Sequence, residues 1–125
     1  MGAERMVERV PPEVEAKYTK YVKLRDTLAA VTQERTALEA ALSELDEVLG
    51  RVSGLPDDAE LYKIVGHVMV RASKSSLLDE LKSRKEELEI KLKAVKTQEE
   101  YLRREVDRLA GELRALLSGR AATGG

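Results

Sequence analysis

The residues with chemically reactive side chains are few and are not grouped. Cysteine is absent, which excludes disulfides and thiol metal sites, and His67, the single histidine, cannot make a zinc site by itself. The sequence has no glycine-rich loop ending in Lys-Ser or Lys-Thr, no Ser-His-Asp set, and no paired catalytic carboxylates beside a nucleophile. We therefore predict a protein that is not an enzyme and that has no cofactor or metal.

The charge pattern limits the partners. Lysine and arginine number 22 against 23 acidic residues, and the two signs alternate along the chain instead of forming a basic block. Nucleic acid is therefore not expected as a partner. No apolar run approaches the roughly 18 residues of a membrane span, and the start MGAERMVERV lacks the apolar stretch of a signal peptide. We expect no membrane association and a cytoplasmic location.

Two heptad patterns dominate the chain, which is rich in Ala, Glu, Lys, Leu and Arg. The first runs through Val14, Tyr21, Leu24, Leu28, Val31, Arg35, Leu38, Leu42, Leu45 and Leu49. The second runs through Leu78, Leu81, Lys85, Leu88, Leu92, Val95, Glu99, Leu102, Val106, Leu109, Leu113 and Leu116. The similar lengths predict a mainly α fold, a long antiparallel two-helix coiled coil. The charged positions Arg35, Lys85 and Glu99 either extend their heads into water or form a polar layer that determines register.

Local signals predict the boundaries within one domain, residues 1–125. Pro11 and Pro12 suit the first turn of helix one, predicted at 12–50, and Gly50 or Gly54 could close it in the left-handed conformation. Helix two is expected to open at Ser75 or Ser76, and the capping box that begins at Ser76 predicts the bounds 76–118. The small, polar residues 119–125 are predicted to form a disordered tail.

Between the helices, residues 60–72 predict a single β-hairpin. Gly66 and His67 separate two runs rich in β-branched residues, and a glycine at the first loop position indicates a type II′ turn in which His67 is only a turn residue. Both faces of this hairpin carry apolar side chains, so it would be unstable alone and needs other hairpins to cover it. We interpret it as an oligomerisation module that contributes to an intersubunit β-barrel, formed by Leu61, Tyr62, Ile64, Val65, Val68, Met69 and Val70.

The segment from Pro56 to Leu109 closely resembles the β-type subunits of archaeal prefoldin, which are related to the sixth eukaryotic prefoldin subunit. The motifs that carry the resemblance are Asp57-Asp58-Ala59-Glu60, Leu61-Tyr62-Lys63, Gly66, Val70-Arg71, Lys74 and Gln98-Glu99-Glu100. The resemblance extends over nearly the whole chain, is specific around residues 56–81, and in helix one rests on heptad pattern and length. A single hairpin, instead of two, points to the β type.

The resemblance implies an ATP-independent chaperone of the holdase type. It implies an α2β4 hexamer of α-type and β-type subunits that captures unfolded client proteins at the coiled-coil tips and delivers them to a group II chaperonin. Apolar residues at a fraying coiled-coil end are partly exposed, which usually marks a binding surface. With the resemblance, this exposure predicts a client-binding tip made of Met6, Val7, Val10, Val14, Leu113, Leu116 and Leu117.

A structural role for the same residues stays open at this point. These residues could simply complete the seam between the helices, as is expected above all for Leu109 and Leu113, and the role of residues 1–10 is undetermined. The alternative function is a coiled-coil scaffold or tether that forms the same oligomer without binding clients. Affinity for unfolded chains distinguishes the two hypotheses.

Overall fold

The computed structural model describes residues 10–124, with side chains described up to residue 119. Its elements in chain order are helix α1 (Pro12–Ser53), strands β1 (Leu61–Val65) and β2 (Val68–Ala72), and helix α2 (Lys74–Gly124). The predicted class, two long helices with one antiparallel β-hairpin between them, is confirmed.

The chain divides into two compact units, and both helices contribute to each. The terminal unit consists of Met1–Thr32 and Thr97–Gly125, and the hairpin unit is Gln33–Lys96. In the terminal unit an early residue of α1, Lys17, faces a late residue of α2, Glu112. In the hairpin unit Asp46 of α1 faces Lys85 of α2. Within each unit, therefore, the two helices pack in antiparallel directions.

The core of each unit is the heptad seam. Among the described residues every buried apolar side chain occupies a predicted seam position, because a repeat of alternating three- and four-residue steps keeps one stripe of a helix facing its partner. The buried apolar residues of the terminal unit are Val14, Val31, Leu102, Val106, Leu109 and Leu113, and those of the hairpin unit are Leu88 and Val95.

Helix α1 begins at Pro12, because the carbonyl of Pro11 accepts the first helical hydrogen bond from the Glu15 amide at 3.0 Å. It ends at Ser53, three residues later than predicted, and neither Gly50 nor Gly54 has a positive φ. The Gly54 amide instead donates to the Gly50 carbonyl and the Leu55 amide donates to the Val52 carbonyl, so the last turn tightens without a left-handed residue. Pro56 follows directly and cannot continue the helix.

Helix α2 begins at Lys74, earlier than the predicted start at Ser76. The capping residue is Ser73, whose hydroxyl oxygen accepts a hydrogen bond from the Ser76 amide at 3.1 Å, while its carbonyl accepts one from the Leu77 amide. The cap lies here because β2 ends at Ala72, which leaves Ser73 as the junction residue.

The far end of α2 also differs from the sequence prediction. The helix extends to Gly124 and includes residues 119–124, which were expected to be disordered; Gly125 lies outside the described residues. No proline occurs after residue 118, Ala121 and Ala122 have high helix propensity, and Gly119 weakens a helix by only about 1 kcal/mol, so the helix continues.

The hairpin has the predicted two-residue loop. Val65 pairs with Val68 across Gly66 and His67, and Leu61 pairs with Ala72 at the other end. Gly66 has a φ of +62°, and among the described residues no other residue has a positive φ. A positive φ at the first loop position alone is the geometry of a type II′ turn, whose twist matches that of the flanking strands.

Candidate functional site

The hairpin presents apolar side chains on both faces. The register places Tyr62, Ile64 and Met69 on one face, where Ile64 and Met69 are 75% and 67% exposed. On the opposite face, Val65 and Val68 next to the turn are also more than half exposed. We call the predicted set of seven residues from Leu61 to Val70 the hairpin surface. Solvent reaches nearly all of it, although Leu61 is half-buried.

The main chain of the hairpin has two unpaired edges. In the described chain the sheet contains two strands only, so each strand has a free side. A two-residue loop makes Val65 and Val68 a hydrogen-bonded pair, and alternate pairs along the ladder then direct their amide and carbonyl groups outward. The outward-directed groups belong to Tyr62, Ile64, Met69 and Arg71. Such edges can add strands from another chain.

Ion pairs hold the base of the hairpin against the neighbouring segments. The Lys63 ammonium is 2.6 Å from the Glu80 carboxylate on α2. The Lys74 ammonium donates to the Leu55 carbonyl at 2.8 Å and is 3.4 Å from Asp57, which ties the loop after α1 to the start of α2. The hairpin is therefore anchored at its base, and its turn end projects without cover from the described chain.

The predicted tip residues occupy different environments in the terminal unit. Val14 and Leu113 are buried in the seam, and Leu116 is half-buried. Val10 and Leu117 are 52% and 55% exposed. Met6 and Val7 lie outside the described residues. Among the described tip residues, Val10 and Leu117 are thus the exposed ones, and the two buried residues complete the seam.

A network of charged side chains lies beside this tip. Arg108 donates to Glu105 at 2.8 Å and to both oxygens of Glu112 at 3.1 and 3.0 Å, and Glu112 is 3.8 Å from Lys17 of α1. The hydrogen bond from Arg108 lowers the pKa of Glu105 below its ordinary value, and the same bond raises the pKa of Arg108. Glu105 and Arg108 consequently stay charged at neutral pH, and the contact between Lys17 and Glu112 links α1 to α2.

The charged seam positions behave in different ways. Lys85 extends to Asp46 at 2.7 Å, and this hydrogen bond raises its pKa, while both side chains keep contact with solvent. Arg35 pairs with Glu39 on its own helix. Glu99 is instead buried at 6% exposure. It is the one charged residue among the described buried residues.

Glu99 is part of a polar layer, and the heptad pattern predicted Glu99 alone. The Thr32 hydroxyl donates to its carboxylate at 2.7 Å, and the Arg103 guanidinium lies 3.8 Å away. The heptad pattern identified Glu99 but missed Thr32, because Thr32 is not a seam position and the two residues are 67 positions apart in sequence. A polar layer of this kind favours one register of the helices over others.

Replacing Thr32 with valine should lower the free energy of unfolding by about 1–3 kcal/mol, because the buried Glu99 carboxylate loses a donor while the shape of the side chain is kept. Glu99→Leu should be neutral or stabilising, since it removes the buried carboxyl group itself and its partner Arg103 is more than half exposed. Urea unfolding followed by circular dichroism measures both. Thr27→Val is the matched control, because the Thr27 hydroxyl donates to the Lys23 carbonyl on an exposed surface. An equal loss at Thr27 and Thr32 would contradict the polar layer.

The described residues contain little that could do covalent or metal chemistry. His67 is exposed in the hairpin turn, and residues 10–124 contain no group of three histidine, cysteine or acidic side chains placed to hold a metal ion. Neither α1 nor α2, within the same range, has an apolar stretch long enough to cross a membrane. The geometry therefore defines a class of protein: two long helices joined by a β-hairpin, with exposed apolar side chains on the hairpin and at Val10 and Leu117.

Comparison with known proteins is consistent with this class. A family profile described as prefoldin subunit matches residues 15–120. The prefoldin subunit beta of Saccharolobus islandicus (strain L.S.2.15) is 38% identical over 120 residues, covering 96% of this chain and 95% of that protein. The prefoldin subunit beta of Pyrococcus abyssi is 34% identical over 111 residues, covering 89% and 95%.

A solved structure agrees with the sequence relatives. The crystal structure of the prefoldin beta subunit from Thermococcus strain KS-1 superposes with a TM-score of 0.81 at 31% identity, covering 89% of this chain and 97% of that one. The chain belongs to the prefoldin subunit family, whose members are chaperone subunits that form oligomeric complexes with other prefoldin subunits.

Proposed function

We propose that this chain is the β-type subunit of an ATP-independent holdase that assembles with an α-type subunit in an α2β4 hexamer in the cytoplasm. The observation that supports this assembly is the hairpin. It carries exposed apolar side chains on both faces, and its two strand edges have no partner strand in the described chain. Pairing of these edges between subunits would close a sheet or barrel and cover side chains that an isolated hairpin leaves in water.

In this proposal unfolded client proteins bind at the tip and then pass to a group II chaperonin. Val10 and Leu117 support this role because they are large apolar side chains that stay exposed in the terminal unit. An unfolded chain also exposes apolar side chains, and joint burial of both surfaces supplies binding energy without nucleotide. Of the other predicted tip residues, Val14 and Leu113 could contact a client only if the seam opens.

The test mixes the purified chain with an α-type subunit and measures the mass of the complex by native mass spectrometry. A chemically denatured test protein is then diluted into the complex without ATP, and light scattering is followed. The proposal expects aggregation to fall as the complex approaches stoichiometric amounts. If the chain is a coiled-coil scaffold without client binding, the complex should have the same mass and the light scattering of the test protein should not change. That result would refute the holdase function.

A double substitution at the tip, Val10→Ser with Leu117→Ser, should weaken client binding roughly tenfold, because two exposed apolar side chains lose most of their burial energy. The mass of the complex should not change. Ile90→Ser is the matched control, since Ile90 is also an exposed apolar residue but belongs to the hairpin unit. Equal weakening by the control, or loss of assembly by the double variant, would show that these residues are not a client site.

A further inference from the structure

The tip contains two sets of apolar residues, a buried set, which we call the covered layer, and an exposed set. Val14 on α1 and Leu113 on α2 are both buried, whereas Val10 and Leu117, about one turn nearer the chain termini, are exposed. The buried pair has the same apolar character as the exposed pair. Opening the last turns of the seam would therefore enlarge the apolar surface of the tip.

One interhelical ion pair lies beside the covered layer. Lys17 is three residues after Val14, and Glu112 directly precedes Leu113. The Lys17 ammonium nitrogen is 3.8 Å from a Glu112 carboxylate oxygen, and both side chains are partly shielded from solvent. Separation of α1 from α2 at Val14 and Leu113 would break this ion pair.

The Glu112 carboxylate is held in place by its own helix. Arg108 donates one hydrogen bond to each of the two carboxylate oxygens, at 3.1 and 3.0 Å, and a further bond to Glu105 at 2.8 Å. A carboxylate oriented in this way loses less side-chain freedom when Lys17 approaches it. The ion pair is consequently better organised than a pair of two freely rotating side chains.

We propose that Lys17 and Glu112 form a latch that controls how often the Val14 and Leu113 layer opens to bind client proteins. The latch rests on the proposed function, because opening has a role only if the tip binds clients. An ion pair of this exposure shifts an opening equilibrium by about two- to fivefold. Neutralising either partner should raise the open fraction by that factor, and added salt should act in the same direction.

The experiment uses the assembled complex with the variants Lys17→Gln, Glu112→Gln and the double variant. The first measurement is amide hydrogen exchange in residues 14–20 and 109–117, which reports opening without any client. Exchange should accelerate about two- to fivefold in each single variant and no further in the double variant, since both remove the same interaction. Glu47→Gln is the matched control, because Glu47 pairs with Arg51 on the same helix.

The second measurement is protection of a denatured test protein by the same complexes. If the latch controls client binding, protection of the test protein should increase in parallel with the rate of amide hydrogen exchange. Exchange that is as fast in Glu47→Gln as in Glu112→Gln, or that rises additively in the double variant, would overturn the latch. Faster exchange with unchanged protection would overturn its control of client binding. Failure of the unsubstituted complex to protect any client would refute the proposed function instead.

Discussion

Replacing Ile64 with lysine and Met69 with glutamate should abolish assembly of the chain with an α-type subunit while both helices stay folded. Ile64 and Met69 pair directly across the two strands, at a position where side chains of an antiparallel pair lie closest. Lysine opposite glutamate forms a favourable cross-strand ion pair, which replaces part of the lost apolar contact between the two strands. If a neighbouring hairpin covered this face, both charged groups would be desolvated, which is energetically unfavourable.

Native mass spectrometry and size-exclusion chromatography with the α-type subunit measure this effect, and circular dichroism shows whether the helices persist. We expect the assembled species to disappear. The single substitution Ile90→Lys serves as the control, because Ile90 is an exposed apolar residue of α2 outside the hairpin. A complex of unchanged mass in the double variant would show that subunits do not associate through this face.

Replacing Leu109 with alanine should lower the free energy of unfolding by about 2–5 kcal/mol. Leu109 is only 2% exposed and is the most deeply buried large side chain among the described residues. A two-helix seam is narrow and has no second layer that could move in to fill the cavity. The expected loss is a large part of the total stability of about 5–15 kcal/mol that is usual for a folded domain.

Urea unfolding at one fixed protein concentration measures this loss, because association would otherwise contribute to the apparent stability. Leu117→Ala is the matched control, since it removes the same atoms from an exposed position on the same helix. Its effect should stay within about 0.5 kcal/mol. Similar losses for the two leucines would mean that the heptad seam does not carry the stability of the terminal unit.

Features that depend on a repeating local pattern could be predicted from the sequence. The heptad spacing identified every apolar residue that is buried in the described structure, and it also identified Glu99. The glycine before His67 predicted the type II′ turn, because only glycine adopts a positive φ without strain. In each case neighbouring residues along the chain contain the whole signal.

Helix ends were predicted less well, because several local signals compete there. Ser73, Ser75 and Ser76 are all good capping residues, and the choice of Ser73 depends on where β2 ends. Gly50 or Gly54 was expected to close α1; the helix passes through Gly50 and ends at Ser53, directly before Gly54, without a left-handed residue. Glycine weakens a helix by only about 1 kcal/mol, which the interactions of the surrounding turns outweigh.

The sequence by itself determined the period of the helices, the stripe that each one buries and the turn that joins the strands. Only the tertiary structure decided that Leu116, although a seam position, is half-buried and that Val10 and Leu117 stay exposed. It also decided that Thr32 meets Glu99 and that Lys17 meets Glu112. The physical reason is that a period depends on adjacent turns of one helix, whereas burial and pairing depend on the register between two helices far apart in sequence.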